Sequence, residues 1–238
     1  MKKVSLLLLF LAALIIIGKV EIARGINDNR ISAEIGVKTL KETTPYLKSE
    51  LNIPVVRLSE GNKIQESINK TLFDDAINFK AQVGEEARKS YEKLVSAGIE
   101  VRPFEVLTQY TIHNLVDILS LRVTYYQYSG GAHGISSVVP YNYDLNTGKR
   151  LMLKDLFKEG YDFKTPINNI INSEINKNPE NYFQNAFKGI GDNQDFYIGK
   201  EGLVIYFQNY DIAPFAAGNP EFIIPYKDIK DGLIVKVN

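Results

Sequence analysis

The sequence has no cysteine and no tryptophan, and its 238 residues include only two histidines and two methionines. Without cysteine the chain cannot form disulfides, use a thiol in catalysis, bind zinc through sulfur or carry a lipid on an N-terminal cysteine. The two histidines, His113 and His133, are too few to hold a zinc ion by themselves. We therefore expect neither a metal nor a cofactor.

An excess of positive charge is also missing. Lys plus Arg and Asp plus Glu both number 28, and residues 1–25 contain four of the basic residues but only one of the acidic ones. The remainder is mildly acidic, with 24 basic and 27 acidic residues, and has no electrostatic reason to bind nucleic acid. The sequence contains no Gly-rich phosphate loop, Gly-x-Ser-x-Gly elbow or His-Glu-x-x-His motif, so we predict no standard catalytic set.

The N-terminus is typical of an export signal. Two lysines precede an apolar run over residues 4–18, which as a helix at ~1.5 Å per residue would span roughly 22 Å, less than the ~30 Å of a bilayer core. Ala23 and Gly25 are small residues placed for cleavage after Gly25. The alternative is an uncleaved membrane anchor flanked by lysines. Both readings predict that the rest of the chain lies outside the cytoplasm.

We predict a linker over residues 26–35, followed by a first domain over residues 36–150. Apolar residues at helical spacing between Ile64 and Leu94 predict a helix that starts near residues 59–62, and Gly84 could divide it. Alternating apolar residues predict strands around it, with a hairpin turn near Asn114. These strands are predicted at 37–43, 53–56, 104–113, 117–127 and 135–145.

A second domain is predicted over residues 151–238. It has a helical stripe between Phe163 and Ile175, and short strands are predicted at 196–198, 203–207, 222–225 and 233–237. Helices precede strands in both halves, without a regular strand–helix–strand alternation. This order predicts an α+β fold of two sequential units, each with helices packed on antiparallel sheet.

The segment Tyr-Ser-Gly-Gly-Ala-His-Gly at residues 128–134 is the first candidate binding site. Gly130 and Gly131 would allow a ligand to approach backbone amides, and His133 could donate or accept a proton. Neighbouring tyrosines, Tyr128 among them, suit sugar rings or a protein surface. The alternative is a loop that merely connects two strands, with His133 bonded to backbone.

The second candidate segment runs from Tyr210 to Asn219. Asp211 could form an acid–base pair with His133 if the two segments meet in space. Equally, Asp211 and Asn219 could bond to their own loop, as these residue types often do at turns. We assign no catalytic residue, and predict ligand binding by seven residues: Tyr128, Gly130, Gly131, His133, Tyr210, Asp211 and Asn219.

These motifs also carry a family resemblance. The sequence resembles the DUF4163 and DUF3298 domains found together in RsiV-type anti-sigma factors and PdaC-type peptidoglycan deacetylases. The resemblance rests on residues 62–72 and 128–134, on Leu-Val-Ile-Tyr-Phe at 203–207, on Tyr-Asp-Ile-Ala-Pro at 210–214, on Ala-Gly at 217–218 and on Ile-Ile-Pro-Tyr-Lys-Asp-Ile at 223–229.

The resemblance implies an accessory domain outside the cytoplasm. In RsiV-type proteins such a domain senses lysozyme, and in PdaC-type proteins catalysis belongs to an appended deacetylase domain; we expect this chain to lack both that domain and a sigma-binding segment. We therefore expect a non-catalytic module, secreted or anchored to the membrane, that contacts cell-wall glycan or a protein such as lysozyme. The alternative is a cell-wall hydrolase or deacetylase that uses His133 and a carboxylate.

Overall fold

The computed structural model describes residues 30–59 and 63–235. The predicted export segment, residues 26–29 of the predicted linker and residues 60–62 of the predicted helix start lie outside the described residues. The larger sheet has five strands whose order in space follows the chain: β1 (Ala33–Thr43), β2 (Leu47–Leu58), β3 (Phe104–Val116), β4 (Ile118–Tyr128) and β5 (Ile135–Asp144).

A single long helix, α1 (Lys63–Ser96), connects β2 to β3 and packs on the five-stranded sheet. Strands β2 and β3 are parallel, whereas the other neighbouring strands of this sheet are antiparallel. A parallel pair needs a long crossover, which α1 provides. The helix is continuous through Gly84, so the predicted break there is wrong. Its apolar stripe faces the sheet and includes the buried residues Ile68, Leu72, Ala76, Val83 and Ala87.

The hairpin between β3 and β4 turns at Asp117, which has φ 59°, and not at Asn114 as predicted. Asn114 lies within β3 at a register shift, and its Nδ2 donates to the backbone oxygens of Val116 (2.9 Å) and Ile118 (2.5 Å). Aspartate tolerates the left-handed conformation better than most residues, and Arg30 Nε donates to Asp117 Oδ2 at 2.7 Å. The amide of Asn114 thus supports a turn that another residue makes.

The second unit contains a three-stranded antiparallel sheet and a separate apolar cluster. The predicted α+β class is confirmed. The predicted final strand is reduced to one bridge between Phe157 and Leu233, and its last two residues lie outside the described part of the chain. The boundary at residue 150 stays a prediction. The elements are α2 (Lys164–Lys177), β6 (Phe196–Ile198), β7 (Gly202–Tyr206), β8 (Glu221–Pro225) and α3 (Tyr226–Ile229).

Buried polar groups join the two sheets along a seam between β4–β5 and β6. Asn142 Nδ2 donates to the Phe196 backbone oxygen at 2.9 Å, and Ser120 Oγ donates to Asn142 Oδ1 at 2.7 Å. The Ile198 backbone N–H in turn donates to Ser120 Oγ at 2.9 Å. Because Ser120 and Asn142 are almost fully buried, these bonds satisfy groups that water cannot reach. The seam is therefore a specific polar contact between the units.

His113 belongs to a second polar contact of the same seam. Its ring stacks on that of Tyr197, with the ring centres 3.7 Å apart, and Arg122 Nε donates to His113 Nε2 at 3.0 Å. Arg122 also pairs with Glu221, which accepts a 2.8 Å bond from the Tyr197 hydroxyl. Burial, and next the Arg122 charge, lower the pKa of His113 to about 4. His113 is thus a partly buried residue of the sheet, and it is neutral at pH 7.

Candidate aromatic binding site

The glycine loop, residues 129–134, connects β4 to β5, and its residues 129–133 are exposed. Gly130 and Gly131 have φ values of 101° and 90°, a region that side chains disfavour, and a Cβ on either would meet no atom within 4 Å. Tyr128 precedes the loop, and its hydroxyl donates to the Gly131 backbone oxygen at 3.0 Å. Backbone conformation therefore requires both glycines, and a ligand could reach the loop.

The second loop, residues 207–220, leaves β7 and returns at β8. Its ends are joined by a bond from the Phe207 N–H to the Pro220 oxygen (3.0 Å), and Asn219 Nδ2 donates to the Phe207 oxygen (3.0 Å). Asp211 Oδ2 accepts from the Gln208 N–H at 2.8 Å. Asp211 and Asn219 thus bond to their own loop, which is the alternative that the sequence predicted beside a functional role.

Three aromatic rings bring the two loops together. His133 of the glycine loop stacks on Phe215, with ring centres 4.4 Å apart and an interplanar angle of 21°. Phe215 also stacks on Tyr210 of its own loop, at 5.9 Å and 28°. We call His133, Phe215 and Tyr210 the aromatic clasp. It is an exposed feature: Tyr210 is 54% exposed, Phe215 is 38% exposed, and His133 is exposed as well.

A cationic aromatic pair lies at the other end of the glycine loop. The Arg102 guanidinium sits over the Tyr128 ring at 4.8 Å, and its Nη2 lies 3.4 Å from Glu105 Oε1. The Tyr128 hydroxyl joins this pair to Gly131, two residues before His133. The aromatic clasp and this pair therefore border one exposed loop from opposite ends.

The tyrosines near the glycine loop divide between core and surface. Tyr125, Tyr141 and Tyr143 are buried, and the Tyr125 and Tyr141 hydroxyls lie 2.7 Å apart, with Tyr141 donating to Asp75 Oδ2 at 2.8 Å. Burial raises the pKa of Tyr125 to about 12. These three side chains therefore stabilise the packing of α1 on the sheet, whereas Tyr128 remains partly exposed.

The described residues show no direct contact between His133 and a carboxylate, which the predicted alternative of an acid–base pair requires. His133 Nδ1 lies 2.9 Å from the Gly134 backbone oxygen, and within the described residues no hydrogen bond joins His133 to a carboxylate. Over residues 30–59 and 63–235, no group of three or more His, Asp or Glu side chains is placed to hold a metal ion. The loops thus present rings and amides, without an assembled catalytic pair.

Of the predicted site residues, the structure brings His133 and Tyr210 together through Phe215, which sequence reasoning missed. Phe215 follows Pro214 in a short turn. The sequence did contain a signal for Phe215: it is a phenylalanine between a proline and two alanines, in a segment where no buried strand or helix is predicted. Binding by the seven predicted residues stays a prediction.

Two family models match the chain. Residues 40–136 match the model described as Deacetylase PdaC, and residues 154–227 match the model described as Protein of unknown function (DUF3298). The peptidoglycan-N-acetylmuramic acid deacetylase PdaC of Bacillus subtilis is 26% identical to this chain over 126 residues. That alignment covers 50% of this chain and only 27% of the deacetylase, so the chain spans about a quarter of its relative.

Two crystal structures share the fold. A DUF3298 family member from Bacteroides fragilis superimposes with a TM-score of 0.67 at 21% identity, and a DUF3298 family protein from Pseudomonas aeruginosa does so with a TM-score of 0.52 at 16% identity. Each comparison covers 85% of this chain and 94% of the other. The predicted likeness to DUF4163 and to RsiV-type proteins stays a prediction. The chain is thus similar in sequence to the PdaC and DUF3298 family models, each over part of its length, and it shares its fold with the two DUF3298 structures.

Proposed function

We propose that this protein is an extracytoplasmic, non-catalytic module that binds cell-wall glycan through the aromatic clasp. The observation that carries the proposal is the exposed stack of His133, Phe215 and Tyr210, which joins the glycine loop to the second loop at one surface. Tyr210 contacts Phe215 and is still 54% exposed, so part of its ring is available to a sugar. A sugar ring presents apolar C–H groups to such a face and hydroxyls to nearby amides.

The surroundings of the clasp suit a polymer better than a small molecule. The exposed backbone of Gly130 and Gly131 provides polar groups beside the rings, and the Arg102–Tyr128 pair extends the surface beyond the glycine loop. The cell-wall ligand is supported by the distant relative that is named as a peptidoglycan deacetylase.

An extracytoplasmic location is supported by the same relative and by the apolar run at residues 4–18, which lies outside the described residues. Within the described ranges no helix is long and apolar enough to cross a membrane. Whether the N-terminal segment is cleaved or serves as an anchor would be decided by N-terminal sequencing of the exported protein.

The test is retention of the purified full chain, in non-ionic detergent, on insoluble peptidoglycan. Tyr210→Ala and Phe215→Ala should each reduce the retained fraction several-fold, because each removes one ring of the clasp. Phe183→Ala is the matched control, since Phe183 is 43% exposed and lies outside the clasp. Equal retention of all four proteins would overturn the proposal. Failure to bind peptidoglycan together with retention on immobilised lysozyme would assign a protein ligand instead.

The match to Deacetylase PdaC favours one further candidate function, a cell-wall deacetylase or hydrolase. It requires His133 to exchange a proton with substrate, with a carboxylate such as Asp211 brought close on binding. Incubation with soluble muropeptides would then change their mass, and His133→Ala would abolish the change without altering the thermal unfolding midpoint. Unchanged muropeptides after long incubation would remove this candidate.

A further inference from the structure

A cavity of about 420 Å³ opens on the seam between the two units, and no residue of the aromatic clasp lines it. Strand β5 forms one wall, through residues such as Val139 and Pro140, and the segment before β6 forms another, through Asp195 and Phe196. Arg150 and Met152 come from the connection between the units. We call this space the seam cavity. Its volume lies in the range of small-ligand sites.

The seam cavity has a cationic group held in place by the protein. Arg150 Nη2 donates to the Pro140 backbone oxygen at 2.9 Å, and its guanidinium lies 4.9 Å from the centre of the Tyr141 ring. The described residues form no ion pair with Arg150. Because a guanidinium has five N–H donors and only one is bonded to Pro140, donors remain for a carboxylate.

The seam cavity also has a fixed anionic group, the half-buried carboxylate of Asp195. Its Oδ2 accepts from Gln208 Nε2 at 2.8 Å, while Oδ1 accepts no hydrogen bond from the described residues. Gln208 is itself fixed, because its side chain bonds both the N–H and the oxygen of Val138. Burial raises the pKa of Asp195, and a bound cation would offset that effect.

Arg150 and Asp195 thus line one cavity with opposite charges, yet their charged atoms are too far apart to form an ion pair. Arg150 is exposed and Asp195 is half-buried, and separate protein contacts hold each of them in position. The arrangement complements a ligand whose own charges are opposite and separated. Apolar wall residues, Val139, Met152 and Phe196 among them, would contact the carbon atoms between those charges.

We propose that the seam cavity binds an amino acid or short peptide with a free ammonium group and a free carboxylate. The carboxylate accepts from Arg150, and the ammonium donates to Asp195. This site goes beyond the proposed glycan-binding function and shares no residue with the aromatic clasp, so either proposal can fail without the other.

The experiment is calorimetric titration of the full chain with dialanine probes that differ by one charge. The zwitterionic dipeptide should bind about tenfold or more tightly than N-acetyl-dialanine, which lacks the ammonium, and than dialanine amide, which lacks the carboxylate. Parallel titrations with the L,L and D,D dipeptides identify whether the ligand has protein or cell-wall stereochemistry. Binding of either supports the site.

Charge-removing variants assign each end of the ligand. Arg150→Gln should weaken binding of the dipeptide, so that the dipeptide no longer binds more tightly than the amide. Asp195→Asn should leave the dipeptide binding no more tightly than the N-acetyl form. Lys200→Gln and Glu201→Gln are matched controls, because these exposed residues lie in the turn after β6. The proposal is overturned if the three probes bind equally, if none binds at millimolar concentration, or if the controls act like the cavity variants.

Discussion

At the scale of single residues, His113 couples stability to pH. Its pKa is about 4 in the folded protein against 6.5 for an unperturbed histidine, because burial and then Arg122 disfavour the charged ring. Between pH 6.5 and pH 4 the unfolded chain therefore takes up a proton that the folded chain does not. Glu221 acts in the opposite direction but does not outweigh the other two effects.

We predict that the free energy of unfolding falls as pH decreases from 6.5 to 4. The His113 share of the loss should be about 1–2 kcal/mol, less than the pKa difference alone gives, because part of the ring faces solvent. Urea unfolding across this window checks it, with His113→Gln as the comparison. A slope that is identical in the two proteins would contradict the role given to His113.

Residue chemistry alone did not locate the β3–β4 turn. Asn114 is a good turn former, and the sequence predicts a turn there, yet the structure uses Asn114 to bond the carbonyls of Val116 and Ile118 while Asp117 makes the turn. The turn at Asp117 is supported by Arg30, 87 positions away in the chain, which pairs with it. Local preference cannot reveal a partner so distant in sequence.

At the scale of elements, the tight pairing of β7 with β8 depends on Gly202. A Cβ at this position would overlap the backbone carbonyl of Ile224 on the neighbouring strand, and a backbone group cannot move aside cheaply. We predict that Gly202→Ala lowers the free energy of unfolding by about 1–3 kcal/mol. Gly191→Ala should change it little, because a Cβ at Gly191 meets no atom within 4 Å.

Chemical denaturation of the two glycine variants, measured in parallel with the parent protein, checks this prediction. If Gly202→Ala were as stable as the parent, β7 and β8 would have to tolerate a wider separation than their pairing shows. The loop between these strands supplies Phe215 and Tyr210, so a change in strand spacing should also weaken glycan binding.

Elements were easier to predict than their arrangement. Apolar periodicity predicted α1, α2 and most strands, since burial of one face leaves a regular pattern in the sequence. The parallel pairing of β2 with β3 leaves no such pattern, because it depends on how α1 crosses the sheet. The stack of His133 on Phe215 was hidden for the same reason: it joins loops from different sheets.

At the scale of the whole molecule, we expect the seam to make the two units unfold as one cooperative body. Asn142→Ala would leave the Phe196 carbonyl without its donor and the Ser120 hydroxyl without its acceptor in a dry contact, at a cost of about 1–3 kcal/mol. Asn146→Ala is the control, because Asn146 lies in an exposed turn. We expect a single unfolding transition in the parent, and a lower or split transition only in Asn142→Ala.

Circular dichroism and tyrosine fluorescence, followed through the same denaturant series, would resolve a split transition. Coincident curves for Asn142→Ala at an unchanged midpoint would contradict the role given to the seam. The seam matters for function because the aromatic clasp takes His133 from one side of it and Phe215 from the other.

The most direct test of the account is hydrogen exchange of backbone amides in the full chain, with and without soluble peptidoglycan fragments. Binding at the aromatic clasp should slow exchange in residues 129–134 and 207–220 and leave α1 unchanged. Tyr210→Ala should abolish the protection in both loops. Protection confined to other surfaces, or none at saturating fragment concentration, would contradict the claim that these loops form a glycan-binding site.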